Sequence, residues 1–198
     1  MKKHYRKNSI KRTNRRIKTP VKIYVEGQTE ISYFKHLNDL EYFTNLAIKT
    51  VKGPFEKFIY DTNELKYLIV DIDNKQSKQR KEYDKLTQIT KDERVFFNNY
   101  SFETWLLLHK NKNVKKVLKH HSYDLEMKRT YNVISWSENK SKKQLNKINK
   151  QISKKDIKVA INNSKVIENH IPFTNPSSNM RKLFDELSRL NMKGRNNV

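Results

Sequence analysis

The segment YLIVDID, from Tyr67 to Asp73, constrains the fold more than any other stretch of the chain. Its apolar run does not alternate with polar residues, so it reads as a strand buried on both faces, the environment of a parallel sheet. It closes on Asp71 and Asp73. Side chains two apart on a strand point to the same face, so both carboxylates can reach one ion at the strand's end.

Neighbouring segments supply partners for that strand. VKIYV, residues 21 to 25, is β-branched and aromatic and stops at Glu26-Gly27. Thr29 can then cap a helix that carries Ile31, Phe34 and Leu37 on one face. Further strands are expected at Leu46 to Val51 and in RVFFNN, with a short helix after Gly53-Pro54 reaching Leu65 and helical or loop residues from Lys78 to Thr90. Strands alternating with helical stretches imply βαβ connections and a mostly parallel, layered α/β sheet.

From Phe102 the pattern turns helical, through FETWLLLHK, NVKKVLKHH and SKKQLNKINKQ, with no clear pattern from Tyr123 to Trp136. Ser153 and Asp156 resemble a capping box for a helix with Ile157, Ala160, Ile161 and Ile167 at helical spacing. Asn175-Pro176 is expected to open a last helix with Met180, Leu183, Phe184, Leu187 and Leu190 on one stripe. The expected organisation is a basic flexible arm at 1–20, an α/β core at 21–110 and a helical extension at 111–198 packed on that core.

The chain has 43 Lys plus Arg against 21 Asp plus Glu, a formal charge of +22. A field of that sign favours polyanions, nucleic acid first among them. Lysines that merely solvate helix faces are the competing explanation. The arm, with no acid between residues 2 and 18, offers Lys11, Arg12, Arg15 and Arg16 to phosphates. Cysteine is absent, which removes disulfides, thiolate catalysis and Cys-based zinc sites. The apolar run after the arm soon meets acid and glycine instead of forming a cleavable segment, and WLLL is far short of the roughly 20 residues of a bilayer span. A cytoplasmic protein without a membrane span is expected.

In open parallel sheets ligands gather at the carboxyl ends of the strands. Glu26, Asp71 and Asp73 are all expected there and together form a hard-cation site of the kind Mg²⁺ favours, a few carboxylate oxygens completed by water and substrate phosphate. Gly27 sits where a tight turn or a close phosphate needs a missing Cβ. The bland alternative is that these acids form turns or salt bridges. Glu103 is either a further metal ligand or a helix-start acid favoured by the dipole. His120-His121 lie in a basic stretch without nearby acids and read as solvated. Without GxxxxGK[ST] the chain is not itself a P-loop ATPase.

EGQTEISYF after one strand and DID at the end of another are similar to the Glu and Asp-x-Asp motifs of Toprim domains. NNYSFETWLLLHK at 98 to 110 and NPSSNMRKLFDEL at 175 to 187 resemble two blocks of the RloB-like family. The four blocks span residues 21 to 187. The chain departs from the family in having Tyr100-Ser101 where proline usually precedes the Phe-Glu pair.

The resemblance implies a Toprim-like fold: a parallel four-stranded sheet flanked by helices, with a C-terminal helical extension. It implies a nuclease that hydrolyses phosphodiesters of DNA or RNA with Mg²⁺ or Mn²⁺ held by Glu26, Asp71 and Asp73, Glu26 acting as ligand or as acid or base. It also implies a role in defence against phage or foreign DNA beside an AAA/ABC-type ATPase partner. Lys22, Lys75 and Lys78 either hold the nucleic-acid backbone or are solvated, and homo-oligomerisation is left open. The main rival is a non-catalytic nucleic-acid-binding subunit; a phosphoacceptor domain, which also carries acids at strand ends, is the second.

Overall fold

The computed structural model describes residues 20–43, 45–52, 65–72, 88, 93–111, 114, 123–137, 140–168 and 176–195. The basic arm, the stretch after Gly53, and Asp73, Lys75, Lys78 and His120-His121 lie outside the described residues.

The expected strands form at β1 (Val21–Val25), β2 (Leu46–Thr50), β3 (Lys66–Asp71) and β4 (Val95–Asn99). All neighbouring pairs among these four are parallel. The sheet does not stop at four strands. A two-residue strand, β5 (Ser177–Ser178), pairs antiparallel with β4 and gives the order β2-β1-β3-β4-β5. It occupies the place where Asn175-Pro176 was expected to open a helix. The reason is tertiary: Ser178 donates its hydroxyl to Asn98 Oδ1 at 2.8 Å, and the Phe97 N–H donates to Asn179 Oδ1 at 2.6 Å. Those bonds hold the chain extended until the last helix begins.

Alternation along β3 bears out burial on both faces. Tyr67 and Ile69 join the main hydrophobic cluster, while Leu68 and Val70 form a second cluster with Val95 on the opposite side. The main cluster is continuous from Ile23 and Val25 to Leu187 and includes the described helices. These are α1 (Gln28–Asp39), α2 (Glu103–Leu108), α3 (Tyr123–Tyr131), α4 (Lys142–Asn149), α5 (Lys154–Ser164) and α6 (Met180–Arg195). None of the described helices is long and apolar enough to cross a membrane.

Local chemistry sets the helix ends. The capping box of α5 forms: Ser153 Oγ accepts from the Asp156 N–H, and Asp156 Oδ2 accepts from the Ser153 N–H at 2.8 Å. Thr29 does not cap α1. That helix starts two residues earlier than a Thr29 cap implies, with Gly27 at its N-cap and no side-chain cap bond, and Thr29 is buried in its first turn. The unpatterned stretch after residue 122 holds α3, whose Met127 and Tyr131, four apart on one face, are both buried.

α1 and α2 are joined at His109, just past the end of α2. Its Nδ1 lies 3.0 Å from Trp105 O and 3.2 Å from Leu106 O, while Nε2 lies 3.0 Å from the Tyr33 hydroxyl. Carbonyls only accept, so Nδ1 carries the proton and Nε2 accepts from Tyr33. Burial pushes the imidazole down from 6.5 to about 4. A depressed folded value means that the unfolded chain takes up the proton first, so stability is full above pH 6.5 and falls toward pH 4. The slope is about 1.4 kcal/mol per pH unit. In urea titrations the wild type should lose roughly 2 kcal/mol more than His109→Gln between about pH 7 and pH 5. Equal losses would mean that His109 is not held neutral.

Candidate active site

The ends of two adjacent parallel strands bring the first two acids together. Glu26 follows the last residue of β1, Asp71 is the last of β3, and the Asp71 N–H donates to Glu26 Oε1 at 3.2 Å. By alternation with Tyr67 and Ile69, Asp71 lies on the face covered by the main cluster. Its Oδ1 is sealed from solvent and has no hydrogen-bond partner among the described residues. Burial, reinforced by the charges of Glu30, Glu103 and Glu26, holds its carboxyl well above the usual range.

Glu30 belongs to this cluster although it was not among the expected site residues. It stands in the first turn of α1, only 5% exposed, and its carboxyl is raised first by burial and then by Glu103. Gly27 faces it. A Cβ on residue 27 would lie 2.8 Å from Glu30 Oε2, so a side chain there would push the Glu30 carboxylate aside, while the backbone is extended and open to any residue. The Glu26-to-Glu30 spacing in EGQTE was the available signal, but a first-turn acid ordinarily reads as a dipole partner.

Glu103 opens α2 from the other side and is 3% exposed. Its Oε1 accepts from Trp136 Nε1 at 2.7 Å and from Lys140 Nζ at 2.7 Å. Burial opposes its charge, but the Lys140 ammonium and hydrogen bonds from Lys140, Ser101 and Trp136 prevail and hold the carboxyl below its usual range. Lys140 in turn, despite burial, is raised by Glu103, Asp71 and Glu30. No local pattern marks Lys140; tertiary packing alone brings it here.

Four carboxylates thus meet one ammonium. The charge balance and the unpartnered Asp71 Oδ1 fit a hard divalent cation. Among the described residues, no group of three or more His, Asp or Glu side chains is by itself placed to hold an ion. Any bound ion would draw its remaining oxygens from water, phosphate or Asp73, which lies outside the described residues. Of the expected phosphate-holding residues only Lys22 is described, and it does not lie at this edge. Lys22 lies four residues before Glu26 on β1, roughly 13 Å back along the strand, opposite Lys66; Lys75, Lys78 and the arm residues Lys11, Arg12, Arg15 and Arg16 are outside the described residues.

Fold and site define an α/β protein with an acidic centre at the carboxyl edge of a mostly parallel sheet. A family model described as RloB-like protein matches residues 21–187, and the chain belongs to that family. Comparisons with curated proteins and with solved structures return no match.

The cluster stores repulsion in the absence of an ion. Asp71 has its folded value raised, so its contribution to stability is present at acid pH and is lost as pH rises through that value. In EDTA at neutral pH, Asp71→Asn should therefore stabilise the protein by on the order of 1 kcal/mol, a rise of roughly 2–4 °C in melting temperature at this size. The gain should vanish in acid. Melting that is lowered equally at both pH values would show that Asp71 is not under electrostatic strain.

Proposed function

We propose that the chain is a Mg²⁺- or Mn²⁺-dependent nuclease with a Toprim-like centre, hydrolysing phosphodiesters of DNA or RNA. The observation that carries the reading is the buried, unpartnered Asp71 Oδ1 among Glu26, Glu30 and Glu103 at the carboxyl edge of the sheet. The net charge of +22 fits a polyanionic substrate.

Asp71 and Glu26, with Asp73 two residues further along the sequence, are the residues that would hold the ion. A divalent ion bound there polarises a phosphate oxygen and lowers the pKa of an attacking water. Glu26 is exposed, so water and substrate can reach its carboxylate, which suits an acid or base role as well as ligation. Lys140 neutralises Glu103 and keeps an ammonium beside the centre, where it can meet a phosphate oxygen. Gly27 leaves room for Glu30. The wider context that the family resemblance implies is also proposed: a cytoplasmic protein in defence against phage or foreign DNA, working with an AAA/ABC-type ATPase, with homo-oligomerisation open.

One observation favours a second reading. Three described acids are not preset around an ion, and Lys140 already balances Glu103. That is what a non-catalytic nucleic-acid-binding subunit would show, and metal dependence separates the two. Purified protein, alone or with the ATPase partner, should cut DNA or RNA with Mg²⁺ or Mn²⁺ and stop in EDTA. Glu26→Gln, Asp71→Asn and Asp73→Asn should each lower cutting by on the order of a hundredfold or more, with nucleic-acid binding retained and little further loss on combination. Full cutting by the Asp71→Asn, Asp73→Asn double variant would remove this mechanism and leave the binding-subunit reading.

A further inference from the structure

α1 is tied to the C-terminal end of α4 and to the turn that follows it. Asn149 Nδ2 donates to Ser32 O at 3.1 Å and to Ser32 Oγ at 2.9 Å, and the His36 imidazole donates to Ile152 O at 2.8 Å. Between the helices runs a groove of about 630 Å³ whose lining includes Gln28, Lys35, Lys140, Lys142 and Lys150, with Asp39 the one acid. Lys35, Lys142 and Lys150 are exposed, and Lys140 is partly covered where it meets Glu103. Lys142 and Lys150 are separated by about 12 Å of helix rise.

Two features distinguish this groove from a solvated basic face. Three of its four lysines are uncompensated: Lys35, Lys142 and Lys150 have no ion-pair partner among the described residues, while Lys140 pairs with Glu103. In a second cavity, beside α6, Arg181 pairs with Glu168 and Asp185, and Arg189 with Glu186. The groove also adjoins the acidic centre through Lys140. Gln28 directly follows Gly27, and Lys140 both lines the groove and places its Nζ 2.7 Å from Glu103. Uncompensated positive charge thus leads to an excess of negative charge, as a site that grips a phosphate backbone and cuts it requires.

We propose that this groove is the track on which the phosphodiester backbone of a single nucleic-acid strand reaches the acidic centre. Lys35, Lys142 and Lys150 contact phosphates along the cleft, and Lys140 meets the phosphate at its inner end. A single strand is the occupant because lysines from two helices line one cleft, where a lone backbone is contacted from both sides; a duplex would meet only the rim. Basic grooves that follow a backbone are the common device of single-strand binders. The proposal builds on the nuclease reading only for what happens at the inner end.

The test measures binding in EDTA, where nothing is cut, with short labelled oligo(dT) and oligo(U) strands and a duplex competitor. Lys35→Gln, Lys142→Gln and Lys150→Gln are combined in one variant. Lys155→Gln, Lys158→Gln and Lys165→Gln, on or beside α5 and outside the groove, make a control with the same change of charge; thermal melting verifies that both fold. The groove variant should bind the strand that wild type prefers roughly tenfold to a hundredfold more weakly near 0.1 M salt, and its slope of log affinity against log salt should fall by about 2. The control should keep the wild-type slope. An unchanged slope in the groove variant, equal losses in both variants, failure of wild type to bind either strand, or a duplex that competes as well as a single strand would each overturn the proposal. Lost binding in the groove variant with no cutting by any protein supports the groove and removes the nuclease reading. Cutting by wild type with unchanged binding in the groove variant does the reverse.

Discussion

Parallel pairing of β1 with β3, in the register Lys22↔Lys66 to Tyr24↔Leu68, makes the two strands run out on the same side of the sheet. The acidic centre depends on that alignment. In an antiparallel pair Glu26 and Asp71 would leave at opposite edges; here one carboxylate accepts a hydrogen bond from the other residue's backbone. The helices then add charge to the same place, α1 by placing Glu30 in its first turn and α2 by starting at Glu103 directly after β4. Each addition raises the electrostatic cost, because buried like charges repel strongly in a medium that screens poorly. Lys140 offsets part of it through Glu103. What remains falls on Asp71, whose Oδ1 has no hydrogen-bond partner among the described residues.

How much of this was legible in the sequence depended on whether the cause was local. β1 forms where its β-branched and aromatic residues indicate, and β3 is buried on both faces because its apolar run does not alternate. The capping box at Ser153 and Asp156 is a four-residue signal and forms as such. β5 was illegible because two serines have no periodicity and are held by Asn98 and by the backbone of β4. The site divides the same way. Glu26 and Asp71 were readable as acids at strand ends, whereas Glu30 was hidden in a helix start and Lys140 reaches Glu103 only through the packing of α3, Trp136 and α2. The glycine at 27 was readable as a close approach, but not what approached.

The charge that makes the chain strongly basic and the charge of its centre have opposite signs, and under the proposed function they serve separate tasks. Lysines can hold a phosphate backbone without touching the scissile bond, while carboxylates gather a cation that a basic surface alone would repel. Lys140 stands at the junction of the two. It belongs both to the groove between α1 and α4 and to the pair that steadies Glu103. The same arrangement opposes stability to function: acids that cost folding energy in the free protein are the ones a metal would need.

The central claim is that Asp71 Oδ1 lacks a partner because an ion belongs there. Anomalous diffraction from a crystal grown with Mn²⁺ tests it most directly. The account predicts a single strong anomalous peak, or a close pair, within ligand distance of Asp71 and adjoining Glu26 and Asp73, and no such peak in Asp71→Asn crystals grown the same way. A wild-type crystal in which this edge carries no anomalous density, with Asp71 still sealed beside Lys140 and Glu103, would contradict it.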